Sequence, residues 1–454
     1  MPMKILSFLY ILLFFSIISM GQSPMQYDAR IDSIISQVSK ERIKKDIEKL
    51  VSFGTRHTLS DTVSQTRGIG AARRWIKSEM ENISAACNNC LEVSYHKGEV
   101  KAGESRRIPN DTWIVNVMAI KRGKLYPNRY IIMSGDIDSR VSDPLDATSD
   151  SPGANDNATG MAGVIEAARV LSKYEFPMSI IFVGLSGEEQ GLFGGKFLAA
   201  DAKEKEWNII GVLNNDMIGN ISGIDGVIDN TSFRVFSEPI PPNPNERELI
   251  WNRFYGGEVD GPSRQLARYV DATTEKYMPH MDAIMIYRLD RFGRGGHHRP
   301  FNDAGFPGVR LMETHENYDM QHQDIREEDG ISYGDVIEGV NFQYAADLTT
   351  VNAICLASIA WAPSPPGLVM IGGAVQPSTR LLWDPIDDPN LLGYKVYWRN
   401  TTSPQWEYSK WVGKETDVTL KNIVIDNYLF GVSSVNKQGN ESIVTYPKTL
   451  IPRR

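Results

Sequence analysis

Four short apolar runs, each followed by polar residues, mark the middle of the chain: residues 130–133 (YIIM), 179–185 (SIIFVGL), 209–213 (IIGVL) and 308–312 (GVRLM). Continuous runs rich in β-branched residues predict strands that are buried on both faces, as in a mainly parallel sheet. Between the first two runs, apolar residues recur at helical spacing over residues 161–171. This alternation predicts an α/β fold with a mixed, mainly parallel sheet sandwiched by helices. A further helical region is expected from about residue 30 to residue 80.

The pattern changes near residue 363, where three prolines and a glycine over residues 363–367 indicate a linker, assigned to residues 363–370. Strand-like segments with aromatic and β-branched residues follow at 381–383, 394–398, 417–420 and 428–435. They predict a small all-β, immunoglobulin-like sandwich over residues 371–452. In its Trp383 and its strands at 394–397 and 428–435, this segment resembles a fibronectin type III module, and we assign it no chemistry.

The N-terminus has the pattern of an export signal. Lys4 precedes an apolar run over residues 5–18, and the small residues Ser19 and Gly21 flank Met20. We expect residues 1–21 to be a signal peptide that is cleaved before Gln22, and the mature protein to be periplasmic, on the cell surface or extracellular. The run is shorter than a spanning helix needs, although an uncleaved anchor is the alternative. No second membrane segment is evident, so no integral span is expected after signal removal.

Composition narrows the function classes. Of 454 residues, 41% are hydrophobic and 23% are charged, which is typical of a folded globular protein. The formal net charge of −8 argues against nucleic acid as a partner, because phosphate binding needs a basic face. Cys87 and Cys90 are close enough to form a disulfide in an oxidising compartment, while Cys355 is expected to be a plain buried cysteine.

Acidic residues and one histidine follow the apolar runs at their ends. If the runs are parallel strands, these side chains meet at the carboxyl edge of the sheet, where ligand sites of open α/β sheets lie. Asp156 precedes the predicted helix and reaches the same rim. The full set of candidates is Asp136, Asp138, Asp156, Glu188, Glu189, Asp216 and His315.

Several carboxylates at one rim would repel one another unless a cation neutralises them, and a metal ion does this. Carboxylate and imidazole ligands together suit zinc or a similar divalent ion. The adjacent Glu188 and Glu189 permit a division of labour in which one binds metal and the other takes a proton from the metal-bound water. The residues themselves therefore predict a metallohydrolase.

The motifs also resemble a known family. Residues 153–160 (GANDNATG), 187–192 (GEEQGL), 215–219 (NDMIG) and 315–319 (HENYD) follow the order seen in the co-catalytic di-zinc aminopeptidases of clan MH. The resemblance covers roughly residues 40–355, and it implies a zinc-peptidase-like domain over residues 28–362. It implies hydrolysis of N-terminal peptide bonds in a peptide or protein substrate.

The resemblance also implies roles for the site residues. Two divalent metal ions, expected to be zinc, would be bridged by Asp156. Asp216 would complete the first metal position, and Glu189 and His315 would complete the second.

Two further residues receive roles as catalytic residues from the same resemblance. Glu188 would be the general base, and Asp138 would help to orient the site. His322 competes with His315 as a ligand, but only His315 directly follows the apolar run. His297 or His298 is a possible substitute for a tyrosine that steadies the oxyanion in some relatives.

The chain departs from the family at Asp136. In the family, the residue at this position is a histidine that serves as the first metal ligand. A first site of Asp136, Asp156 and Asp216 would be harder and more negative, and it would accept manganese or magnesium. Three hypotheses follow. The protein is a two-metal aminopeptidase, a single-zinc acyltransferase similar to glutaminyl cyclases, or a non-catalytic peptide-binding ectodomain similar to transferrin-receptor-like proteins. Side-chain preference and oligomeric state have no signal in the sequence.

Overall fold

The structure, a computed structural model, describes residues 23–256 and 260–452. The predicted signal peptide lies outside the described residues. The helices are α1 (Ala29–Ile35), α2 (Lys40–Val51), α3 (Gly68–Ala86), α4 (Gly160–Leu171), α5 (Phe193–Glu204), α6 (Glu246–Tyr255), α7 (Pro262–Tyr277), α8 (His298–Ala304) and α9 (Phe342–Trp361). Within the two described ranges, none of the helices combines the length and apolarity needed to cross a bilayer.

The main body is built on one eight-stranded sheet with the strand order β1-β2-β4-β3-β5-β8-β6-β7. Its strands are β1 (Leu91–Val100), β2 (Thr112–Lys121), β3 (Tyr126–Asp136), β4 (Met178–Leu185), β5 (Asn208–Asn215), β6 (Ser232–Ser237), β7 (Asp282–Ile286) and β8 (Gly308–Glu313). The central strands β4, β3, β5 and β8 run parallel to one another, while β1, β2 and β6 pair antiparallel. The predicted α/β class, with a mixed, mainly parallel sheet, is confirmed.

Alternate residues of the central strands enter two different cores, because successive side chains point to opposite faces of a sheet. In β3, Ile131 and Met133 join the core beneath α2, α3, α4 and α9, whereas Tyr130 and Ile132 join the core beneath α5 and α8. Both faces of the sheet are therefore covered. The continuous apolar runs in the sequence have this origin.

The helical prediction for the N-terminal region is only partly right. Helices α1, α2 and α3 form, but residues 52–67 run as turns between α2 and α3. This loop carries Thr58 to the end of β3, where its hydroxyl donates to a carboxylate of the rim. The predicted disulfide between Cys87 and Cys90 is present and closes the turn between α3 and β1, and Cys355 is buried in α9.

The C-terminal part consists of two small sheets around one core. The strands are β11 (Val369–Gly372), β12 (Thr379–Trp383), β13 (Gly393–Asn400), β14 (Tyr408–Gly413), β15 (Asp417–Leu420), β16 (Tyr428–Val435) and β17 (Thr449–Leu450), and a hairpin of β9 (Arg326–Glu328) and β10 (Ile331–Tyr333) lies earlier in the chain. One sheet has the order β15-β12-β11-β17 and the other β14-β13-β16. Trp383, Tyr394 and Phe430 pack in the core between them. The four predicted strands form, with β11 beginning inside the predicted linker. Kinship with fibronectin type III modules stays a prediction.

Candidate metal centre

The carboxyl ends of the parallel strands bring the acidic residues to one buried rim. Asp136 ends β3, the Glu188–Glu189 pair follows β4, and Asp216 follows β5. Asp156 reaches the rim from the turn of π-helix, Ala154–Thr159, that leads into α4. Because the strands are parallel and in register, residues far apart in sequence meet here, as the apolar runs indicated.

Three side chains converge into what we call the three-ligand cluster, which consists of Asp156, Glu189 and His322. One ligand atom from each lies within 4.8 Å of the other two. Nε2 of His322 is 3.0 Å from Oδ2 of Asp156 and 2.9 Å from Oε1 of Glu189. Two carboxylates and one imidazole are a donor set that zinc accepts in catalytic sites with three protein ligands.

Neighbouring groups hold the cluster in place. Nε of Arg140 donates to the second oxygen of Glu189 at 2.8 Å, and its Nη2 lies 2.7 Å from Nδ1 of His322. The carboxylate of Asp335 accepts the backbone N–H groups of Asn155 at 2.8 Å and of Asp156 at 2.7 Å. Such supporting hydrogen bonds fix the orientation of metal ligands.

The cluster attracts positive charge. Burial alone would lower the pKa of His322, but the carboxylates of Glu189 and Asp156 outweigh it and raise the pKa to about 9. The Nε2 proton then lies between the two carboxylates. Because a metal ligand must be deprotonated, a proton and a metal ion compete for this one position.

Glu188 and Asp138 stand beside the cluster. Asp138 is 1% exposed, and its two oxygens accept the backbone N–H groups of Glu188 at 3.2 Å and of Glu189 at 3.1 Å. Thr58 donates to the same carboxylate at 3.0 Å. Asp138 thus fixes the turn that carries both glutamates, which suits the orienting role expected for it.

The Glu188 carboxyl group is free to meet another molecule. Among residues 23–256 and 260–452, no side chain hydrogen-bonds to it. Burial, and then the Glu189 carboxylate, raise the pKa of Glu188 well above its ordinary value. A raised pKa makes a carboxylate a stronger base, which a general base requires.

The other half of the rim, which we call the arginine side, consists of Asp136, Asp216, His297 and Arg310. Nη2 of Arg310 is 2.8 Å from Oδ2 of Asp216, and the arginine is fully buried. Nδ1 of His297 is 2.5 Å from Oδ1 of Asp136, and burial lowers the pKa of His297 to about 4, so the ring is neutral. Two residues that the sequence placed at a first metal position therefore have protein partners.

The two halves differ in their fit to a metal ion. In the three-ligand cluster one donor atom each of Asp156, Glu189 and His322 faces the other two. On the arginine side a guanidinium, which has no lone pair to give a metal, already lies against Asp216. The cluster fits a divalent ion, whereas the arginine side already contains a cation that the protein supplies.

The expectation that His315 completes the metal site needs correction. Its Nδ1 is 2.7 Å from Oδ2 of Asp225, an exposed carboxylate, and the cluster contains His322 instead. The strand end is already occupied, because the buried Glu313 accepts from the amide side chain of Asn155 and from the backbone of Asn220. After Glu313 the chain turns outward at His315 and has returned to the rim by His322.

Sequence reasoning also missed Arg310 and Arg140. Arg310 was visible as the charged residue inside an apolar strand run, and a buried charge needs a partner. Nothing in the local pattern identified Asp216 as that partner. The role expected for His297 or His298 at an oxyanion stays a prediction, and in the structure Nε2 of His298 lies 2.7 Å from the carbonyl of Leu289.

Fold and site together define an α/β protein with a candidate metal centre at the carboxyl edge of its sheet. Residues 116–338 match the family model described as Peptidase family M28. The chain is 42% identical over 422 residues to a probable zinc metalloprotease of Leptosphaeria maculans, covering 92% of this chain and 97% of that one. It is 41% identical over 427 residues to a probable zinc metalloprotease of Pyrenophora tritici-repentis, covering 93% and 88%. The chain belongs to peptidase family M28, and it is a metallopeptidase.

Solved structures agree on the fold. The Legionella pneumophila LapA aminopeptidase superposes with a TM-score of 0.52 at 17% identity, covering 75% of this chain and 78% of that one. A glutaminyl cyclase of Macrostomum lignano superposes with a TM-score of 0.51 at 16% identity, covering 74% and 93%. Because peptidase and cyclase score alike, these structures establish the architecture and do not decide the reaction.

Proposed function

We propose that this protein is an exported zinc aminopeptidase that hydrolyses N-terminal peptide bonds, with Glu188 as its general base. The observation that carries the proposal is the Glu188 carboxyl group beside the three-ligand cluster, to which no side chain of the described residues hydrogen-bonds. Family membership and the names of the relatives, probable zinc metalloproteases, support zinc as the metal. The sequence resemblance to di-zinc aminopeptidases supports the preference for a free N-terminus.

The mechanism follows from what each residue is able to do. Asp156, Glu189 and His322 would hold the ion, and zinc bound there supplies the Lewis acidity that polarises a peptide carbonyl. Glu188 takes a proton from the attacking water and returns it to the leaving amine. Asp138 keeps Glu188 at the right place through the two backbone N–H groups it accepts.

The test is a substrate panel measured with the zinc-loaded protein and with the chelated protein. We expect release of the first residue from aminoacyl p-nitroanilides and short peptides, and no release when the N-terminus is acetylated. Activity is expected to disappear with a chelator and to return with zinc. Equal cleavage of free and acetylated substrates would overturn the aminopeptidase assignment while leaving a metallopeptidase.

A glutaminyl cyclase-like acyltransferase is the second candidate. The ion pair between Arg310 and Asp216 favours it, since single-zinc cyclases share this fold and that pair disfavours a second ion. Peptides that begin with glutamine separate the two reactions. Ring closure with loss of ammonia and no peptide-bond cleavage would establish the cyclase and exclude the aminopeptidase.

Export has its own test. Residues 1–21 are proposed to be removed, so the mature protein recovered from the periplasm, cell surface or medium is expected to begin at Gln22. N-terminal sequencing of the native protein measures this. A mature chain that still begins at Met1 would contradict the proposed cleavage.

A further inference from the structure

Both terminal nitrogens of the Arg310 guanidinium have protein partners. Its Nη2 meets Asp216 at 2.8 Å, while its Nη1 donates to the two oxygens of Asp290 at 2.9 and 3.2 Å and to the carbonyl of Gly295 at 3.2 Å. The backbone is fixed as well, because Arg310 lies within β8 and pairs with Asn214 of β5. This side chain has no route to swing away from Asp216 without breaking several buried contacts.

The charge of Arg310 is permanent. Burial opposes it, but the carboxylates of Asp216 and Asp290 raise the pKa of the guanidinium further above its already high value. Buried carboxylates repel one another, and a nearby cation reduces this repulsion. Arg310 supplies that cation from the protein itself.

Both oxygens of Asp136 have protein partners. Its Oδ1 lies 2.5 Å from Nδ1 of His297, and its Oδ2 receives the amide of Asn157 at 2.7 Å. The same Asn157 amide also donates to the backbone carbonyl of Asn215 at 2.7 Å, so it is held in that orientation. Of the two further carboxylates that the first metal position would need besides the shared Asp156, Asp136 therefore has partners on both oxygens, and Asp216 has Arg310 on its Oδ2.

From these contacts we infer that the centre holds a single metal ion, on Asp156, Glu189 and His322, and that the buried guanidinium of Arg310 replaces the second cation of a two-metal site. Asp136 and Asp216 are then structural carboxylates rather than metal ligands. The expected two-ion site is replaced by one ion and one fixed arginine. This inference rests on the proposed metallopeptidase function and specifies the composition of its site.

Metal stoichiometry tests the inference without relying on activity. The full mature chain is dialysed against excess zinc, freed of loosely bound ion, and measured by elemental analysis and by calorimetric titration of the chelated protein. We expect one zinc per wild-type chain and roughly none for His322→Ala. Two zinc ions per wild-type chain would overturn the inference and leave the proposed function intact.

The variant Asp216→Asn distinguishes a ligand from a structural carboxylate. We expect it to retain one zinc with a dissociation constant within about threefold of wild type, because Asp216 contacts Arg310 and not the ion. A drop in stoichiometry on this change would overturn the inference. Should Asp216→Asn fail to fold, the double variant Asp216→Asn with Arg310→Gln removes both charges of the pair and is expected to retain one zinc.

A spectroscopic readout gives an independent answer. The cobalt-loaded protein is expected to show the electron paramagnetic resonance of an isolated Co²⁺ ion at every cobalt ratio. Exchange coupling between two cobalt ions would contradict a single-ion centre. One bound ion without hydrolysis of any aminoacyl substrate would remove the proposed function while the inference stands, and no bound ion at all would overturn both.

Discussion

The two halves of the rim solve the same electrostatic problem in different ways. Both gather buried carboxylates that repel one another unless a positive charge lies between them. In the three-ligand cluster, Asp156, Glu189 and His322 direct one donor atom each to a common point. On the arginine side, Arg310 lies against Asp216 and is held by Asp290.

The comparison shows that an acidic sequence motif does not determine which cation its carboxylates meet in the folded protein. Asp216 directly follows β5, whereas Asp156 lies in the turn that leads into α4. The first faces a guanidinium and the second an imidazole that a metal ion would share. The cation that each carboxylate meets depends on which residue the next strand or loop brings to the rim. Here β8 brings Arg310 to one half, and the loop after β8 brings His322 to the other.

Replacing His322 by alanine tests the three-ligand cluster most directly and should have the largest effect. With one of three ligands lost, zinc is expected to leave, and kcat/KM should fall about 10³-fold or more, since metal catalysis is worth several kcal/mol. Activity assays with elemental analysis of the same sample measure both losses. Full activity and full zinc content in His322→Ala would show that another residue completes the site.

Glu188→Gln keeps the shape of the side chain and removes its basicity. We expect kcat to fall roughly 10²- to 10³-fold, the range for loss of a general base. Zinc content should not change, because Glu188 lies beside the cluster and not in it. Retention of wild-type kcat with zinc bound would remove Glu188 as the base.

Asp138→Asn tests the support beneath both glutamates. The amide retains one acceptor oxygen, so one of the two backbone N–H groups loses its partner and the turn shifts. We expect kcat to fall about 10–100-fold, as for residues that orient a metal site, while KM changes less than threefold. A large rise in KM at constant kcat would show that Asp138 binds substrate instead of positioning Glu188.

His315→Ala is the matched control for His322→Ala and should have the smallest effect. His315 pairs with the exposed Asp225, and surface pairs contribute about 0–1 kcal/mol. We expect zinc content and kcat/KM to remain within about twofold of wild type. Zinc loss as large as in His322→Ala would return His315 to the ligand set and remove the distinction between the two histidines.

Much of the fold was predictable because the signals are local. A strand buried on both faces must be apolar at every position, so β3, β4, β5 and β8 stand out in the sequence. Their parallel order then implies that Asp136, Glu189 and Asp216 meet at one edge. The helix after Asp156 was predictable for the same reason, through its helical spacing of apolar residues.

The histidine of the three-ligand cluster was not predictable, because its position depends on a loop. His315 follows the strand directly, but Glu313 and its partners already fill the strand end, and the chain leads His315 outward to Asp225. His322 returns to the rim after a turn whose path is set by tertiary contacts. Closeness in sequence to the end of β8 therefore selected a histidine that does not lie in the three-ligand cluster.

The amino-acid sequence is enough to predict the α/β architecture, the acidic rim at the carboxyl edge and the kind of chemistry that such a rim supports. Only the tertiary structure decided which cation each carboxylate meets, because that choice depends on side chains from elements far apart in the chain. His322 completes the cluster around Asp156 and Glu189, and Arg310 occupies the other half of the rim. The periodicity of apolar residues predicts which positions are buried. The geometry of a metal site depends on distances between atoms that exist only in the folded chain.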